Sequence, residues 1–264
     1  MSVQQYTVPT AVTNIPPLDA RQVQINDIAS NCNVTVFFIA AIKRTIAACG
    51  PQLAAQIVKQ GLEQAGKSIE TEQYGNIFKA LHRAAFEGCT EVVQLLLTFP
   101  NAHELAVMDD VDGFTGFLWA ANNGHKDVVA LFLSLPIASR LLAKKTSANA
   151  TAAHYIAYNN HTEVMRLLLA LPNAQELLMA QTIYGKSPLH EAACGGKKKI
   201  VELLLASLDA QKLASLTDIS GNTAYDVATN HEIKNLLYPY QPYRCVQIAN
   251  RSIDFLKFIA TGPF

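Results

Sequence analysis

The chain has 264 residues, half of them hydrophobic and only 16% charged, which is enough apolar material for a sizeable core and too much for a disordered chain. Lysine plus arginine and aspartate plus glutamate both number 21, so a net basic charge directed at nucleic acid or an anionic membrane is excluded. The five cysteines, at positions 32, 49, 89, 194 and 245, form no C-x-x-C pair and no Cys/His cluster, which argues against a disulfide scaffold and a structural zinc site.

Residues 1–24 are polar, carry Pro9, Pro16 and Pro17, and are expected to form a flexible arm. The first basic residue is Arg21, so no charged stretch precedes an apolar one in the manner of a secretory signal; with the odd cysteine count this predicts a cytoplasmic protein. Residues 25–74 predict an N-terminal helical cap. Asn26–Cys49 reads as a helix, although Val34-Thr35-Val36-Phe37-Phe38 would equally start a strand. The apolar run Val34–Ile42 is followed at once by Lys43 and Arg44, well short of the about 20 residues that cross a bilayer, so no membrane span is expected. Gly50 and Pro51 break the segment, and Pro51 opens a second helix with Leu53, Ile57, Val58 and Leu62 on one side.

Residues 75–237 repeat. Ala-Leu-His-Arg-Ala-Ala-x-x-Gly begins at Ala80, and Ser-Pro-Leu-His-Glu-Ala-Ala-x-x-Gly begins at Ser187, placing His82 and His190 108 residues apart, three times 36. Intermediate copies fall where that period puts them, at Phe117–Ala121 before Gly124 and Ala153–Ala157 before Asn160. Each is followed by an aliphatic block: Val92, Val93 and Leu95–Leu97; Val128, Val129 and Leu131–Leu133; Val164, Met165 and Leu167–Leu169; Ile200, Val201 and Leu203–Leu205. A fifth, shortened copy runs from Gly221 to Leu237. Paired alanines allow two helices to approach closely, and the block at i, i+1, i+3, i+4 and i+5 predicts a broad apolar helical face. The Gly or Asn between them suits a left-handed helix stop. Each unit is therefore helix, tight turn, helix, and buries its apolar face only against a stacked neighbour.

On the residues Ser187-Pro188-Leu189-His190-Glu191-Ala192-Ala193, with the Gly-x-Thr elements at Gly113–Thr115 and Gly221–Thr223, the chain resembles the ankyrin-repeat family. The resemblance implies an all-α solenoid of helix-turn-helix units with short finger loops and helical caps. It departs from the family's usual 33-residue repeat through an added segment after each second helix, as in Leu171-Pro172-Asn173-Ala174-Gln175-Glu176-Leu177, where Pro stops one helix and the rest predicts one more helical turn. Asn149 replaces the turn glycine of the third unit, and asparagine also tolerates the left-handed conformation. This repeat style is similar to that of ankyrin proteins delivered into host cells by intracellular bacteria.

Residues 238–264 predict a linker and a C-terminal capping helix. Tyr238-Pro239-Tyr240-Gln241-Pro242-Tyr243 is stiff, and Val246, Ala249, Ile253, Leu256 and Ala260 recur at helical spacing. The alternative is a helix that docks on a partner.

Little in the chain points to catalysis. No phosphate-binding G-x-x-x-x-G-K-[ST], nucleophile elbow or H-E-x-x-H occurs, and no cofactor or metal is expected. Cys32 follows Ser30-Asn31 at a possible helix start, which would lower its thiol pKa, so a cysteine hydrolase with the repeats choosing the substrate is the alternative to a binding module. Asp109, Asp110 and Asp112 precede Gly113. The resemblance implies that Asp110 orders the finger loop and that His82, His154 and His190 bond neighbouring turns. His125 and His161 share another repeat position and are expected to be architectural.

The resemblance further implies a non-enzymatic, monomeric module whose protein or peptide partner lies on the concave face. Carried over by position, that face contains Phe86 and Glu87, Asn122 and Asn123, Tyr158 and Asn159 before the turns. On the fingers it contains Val111, Asp112, Phe114, Ile183, Tyr184 and Lys186. Trp119 follows the histidine position and is divided between core packing and partner contact. Aromatic residues are favoured anchors of interfaces.

Overall fold

In the computed structural model the described residues are 42–45, 47, 72–98, 102–207 and 209–241. The expected arm, most of the N-terminal cap with Cys32, and the C-terminal helix beyond residue 241 lie outside them. Two compact units divide the chain at Met108 and Asp109.

In the first unit, residues 42–45 are helical, and α1 (Glu72–Glu87), α2 (Thr90–Leu96) and α3 (Ala102–Val107) follow. Gly88, at φ 73°, ends α1 so that Cys89 N–H returns to Ala84 O at 2.9 Å. Leu81, Ala84 and Ala85 of α1 and Val92, Val93 and Leu96 of α2 are buried, and His82 Nε2 bonds Met108 O at 3.2 Å.

The second unit repeats one three-helix pattern. The first helices are α4 (Gly116–Asn123), α7 (Ala152–Tyr158) and α10 (Pro188–Cys194). The second helices are α5 (Lys126–Leu133), α8 (Thr162–Leu169) and α11 (Lys198–Leu205). The expected added turns are short helices, α6 (Ala138–Leu142), α9 (Ala174–Met179) and α12 (Ala210–Ala214). The first helices pack side by side in one layer, and the second helices in another. Ala120, Ala121, Ala157, Ala192 and Ala193 have no exposed surface, so the first helices meet with little side chain between them.

The second-helix block is narrower in effect than its spacing predicts. Only i, i+1 and i+4 are fully in the core (Val128, Val129, Phe132; Val164, Met165, Leu168; Ile200, Val201, Leu204). The positions i+3 and i+5 are half-buried, because the layer beyond them is a single short helix: Leu141 and Leu142 of α6 and Leu177 and Leu178 of α9 supply its cover. The turns carry the left-handed residues expected of them, Gly124 (φ 76°), Asn160 (φ 64°) and Gly196 (φ 69°), and Asn149 also sits at φ 58°. The fifth copy loses its first helix to hydrogen-bonded turns held by Asp226, which accepts from Thr223 N and Oγ1, and ends in α13 (His231–Leu237). Among the described residues there is no strand, only a Thr217–Thr223 bridge.

Two histidines tie successive units together. In α7 and α10, Nδ1 of His154 and His190 faces the backbone N–H and hydroxyl of Thr151 and Ser187, and Nε2 reaches the carbonyl of the next finger, Lys186 O at 3.0 Å and Asn222 O at 3.1 Å. A ring nitrogen that accepts from a backbone N–H leaves the other to carry the proton, so both imidazoles are neutral Nε2–H tautomers. Burial pushes His154 down to about 4, against the pull of its carbonyl partner, and lowers His190 likewise. The unfolded chain takes up a proton on His154 from about pH 6.5 downward, while the fold resists until about 4. The His154 contribution is therefore whole above about 6.5 and lost as pH falls to about 4, roughly 3 kcal/mol. We expect His154→Asn to be less stable than wild type at pH 7 yet to lose less stability on acidification to pH 4.5. Equal losses in urea melts at the two pH values would refute this. In α4 the position is Leu118, fully buried, which keeps the packing and gives up the bond.

Candidate partner-binding face

The fingers are built from a capping side chain and a backbone ladder, both with the 36-residue period. Asp110 Oδ1 accepts from Asp112 N and Phe114 N; Asp218 Oδ1 accepts from Ser220 N and Asn222 N; between them Thr182 Oγ1 accepts from Tyr184 N and Lys186 N. Each finger then bonds the next: Ser147 N–H to Asp112 O, Ile183 N–H to Ala148 O, Ile219 N–H to Tyr184 O, at 3.0–3.1 Å. The loops are thereby held as a rigid row beside the first helices. Asp110 thus orders its finger, and Asp109, itself exposed, pairs with Lys144 at 3.2 Å.

The residues expected on the face separate into packed and open ones. In the first unit Phe86 is 38% exposed beneath the Arg83 guanidinium, and Glu87 is held by Arg83 at 2.7 Å and Lys43 at 3.5 Å. Burial acts to raise the Glu87 pKa, but the two cations outweigh it and hold the carboxyl below its usual range. In the second unit the Phe114 ring folds back from the finger onto Trp119, with ring centres 4.3 Å apart, and onto Tyr155 at 4.9 Å. Trp119 Nε1 donates to Asp110 Oδ2 at 3.0 Å, so its indole braces the finger. Asn122, Asn123 and Asn159 form an amide network in which Asn159 Nδ2 donates to Asn122 O and Oδ1, and His161 Nε2 donates to the same carbonyl at 2.8 Å. Val111, Asp112, Tyr158, Ile183 and Tyr184 are open to solvent, Val111 almost completely, and Lys186 is half-buried.

Tyr158 and Tyr184 flank a cleft of about 240 Å³. Its walls are Ala148 and Ala150 of one finger, Thr182 of the next, and His154 and Tyr155 of α7; Glu191 of α10 is the one carboxylate among its lining residues. Glu191 and Tyr155 are the site residues that position-by-position reasoning passed over. The signal was present in the repeat: Trp119, Tyr155 and Glu191 are spaced by 36 and occupy one repeat position.

Comparison with known proteins bears on this geometry. A family model described as "Ankyrin repeats (3 copies)" matches residues 45–137, 81–175 and 134–215, together well over half the chain. The chain belongs to the ankyrin-repeat family. Ankyrin repeats indicate a protein–protein interaction module. Comparison with curated proteins gives no match, so the expected link to delivered bacterial ankyrin proteins finds no support there. Among the described residues no helix is long and apolar enough to cross a membrane.

Proposed function

We propose that this ankyrin array is a non-catalytic binding module. It holds an extended segment of a partner protein along the fingers and first helices of the second unit, with the cleft between Tyr158 and Tyr184 as its anchor point. The observation that carries the reading is the combination of that cleft with solvent-exposed apolar finger residues at one repeat position. Val111, Ile183 and Ile219 are 99%, 56% and 73% exposed, on loops ordered by capping and finger-to-finger hydrogen bonds. Exposed apolar side chains on a pre-ordered backbone lose little conformational freedom on binding, which favours association. Such a module acts by occupying or recruiting its partner.

Phe114 and Trp119 support the face from behind, so the variant that tests it spares them. We expect a Tyr158→Ala/Tyr184→Ala protein, with an unchanged urea midpoint, to retain about ten-fold less of the proteins captured by wild type from eukaryotic cell lysate, the loss typical of removing anchor aromatics. Equal retention by the double variant would show that the partner binds elsewhere.

A further inference from the structure

The Glu191 carboxylate stands in an unusual position. Its side chain is 17% exposed, and among the described residues no hydrogen-bond donor reaches its oxygens. The nearest cation, Lys186 Nζ, is 3.9 Å away, beyond hydrogen-bond distance. Burial raises its pKa, and Lys186 reverses only part of that. The other buried or half-buried polar side chains of the cleft have partners: His154 uses both ring nitrogens, Tyr155 OH meets Thr146 Oγ1, and Thr182 Oγ1 accepts from two backbone N–H groups. One under-bonded anion therefore lies in an apolar cleft flanked by two aromatic rings.

We infer that the cleft selects a partner segment bearing lysine or arginine, whose alkyl stem lies against Ala148 and Ala150 and whose cation reaches Glu191 between Tyr158 and Tyr184. The inference rests on the binding face proposed above and names the chemistry of its occupant. A long basic side chain suits each part of the cleft's lining. Its methylenes suit the alanine walls, its charge suits the faces of tyrosine rings, and its N–H groups supply charge-assisted hydrogen bonds to the carboxylate. An acidic side chain would meet a like charge in a low-dielectric cleft. A purely apolar one would fill the walls but leave a dehydrated carboxylate without a donor, which is unfavourable. Lys186 is an internal competitor for the same anion. Its side chain is 32% exposed, so its ammonium has solvent to turn to when a ligand cation arrives.

Opposite effects at the two ends of the Glu191–Lys186 pair make the inference testable. Short random peptides displayed on phage are selected against the full chain, and the recovered sequences are measured by fluorescence anisotropy. The expected result is one recurring lysine or arginine with apolar neighbours. Affinity of that peptide falls about ten-fold for Glu191→Gln and rises two- to three-fold, roughly, for Lys186→Ala. Were the ion pair merely structural, both variants would weaken binding. Peptides that need Tyr158 and Tyr184 but share no basic position, or that ignore Glu191→Gln, overturn the cation inference and leave the binding face standing. Peptides that bind but are indifferent to Tyr158→Ala/Tyr184→Ala overturn the face itself and the inference with it. Recovery of no peptide also overturns it.

Discussion

Gly185→Ala is expected to destabilise the second unit by roughly 2–4 kcal/mol, although the residue lies in a surface finger. Gly185 sits at φ +73°, where a side chain costs about 1–2 kcal/mol. A Cβ there would also stand 2.7 Å from Ile219 N and 2.9 Å from Asp218 C, both backbone atoms of the next finger. Those atoms cannot move without stretching the Ile219 N–H to Tyr184 O bond that joins the two fingers. Gly221→Ala is the matched control: its φ is +79°, but a Cβ would have nothing within 4 Å. The control pays the conformational strain alone, so the difference between the two urea midpoints isolates the close approach. Equal midpoints would mean that the finger row is not held by that contact.

Leu168→Ala is expected to cost about 2–5 kcal/mol, the range for a leucine removed from a well-packed core. Leu168 is 1% exposed in α8, and the 36-residue period places Leu96, Phe132 and Leu204 at equivalent, fully buried positions. Neighbours on both sides depend on it, because a solenoid unit is stable only through its interfaces. Leu169→Ala, one residue along and half-buried, should cost clearly less. Similar losses for the two variants would contradict the division of this helix into a core stripe and an outer edge.

The fold was legible in the sequence because a repeated unit shows its constraints several times. A single Ala-Ala-x-x-Gly carries no meaning, whereas the same pattern at multiples of 36 identifies first helix, turn and second helix together. The structural role of His154 and His190 followed from their shared position, and the geometry supplies the bonds. The second helix was less legible. Five aliphatic positions look alike in sequence, but in the second unit only three of them are fully buried, whereas in the first unit Leu95 is buried as well.

The candidate face was legible as a set of positions and not as a set of accessible atoms. Phe114, Tyr158 and Tyr184 share an aromatic character, yet Phe114 is drawn onto Trp119 and Tyr155 while the other two stay open. Phe114 turns inward because Trp119 of its own repeat and Tyr155 of the next offer a stacking surface. By itself the sequence determined the period, the helix-turn-helix unit and the left-handed turns, because each follows from local chemistry or from spacing along the chain; the histidine ties were implied by the ankyrin resemblance. Only the tertiary structure decided that fingers bond in a row, that Phe114 is support and Tyr158 is surface, and that Glu191 lines a cleft where, among the described residues, no donor comes within hydrogen-bond distance. Those properties belong to the space between repeats, where residues about 36 positions apart set one another's exposure.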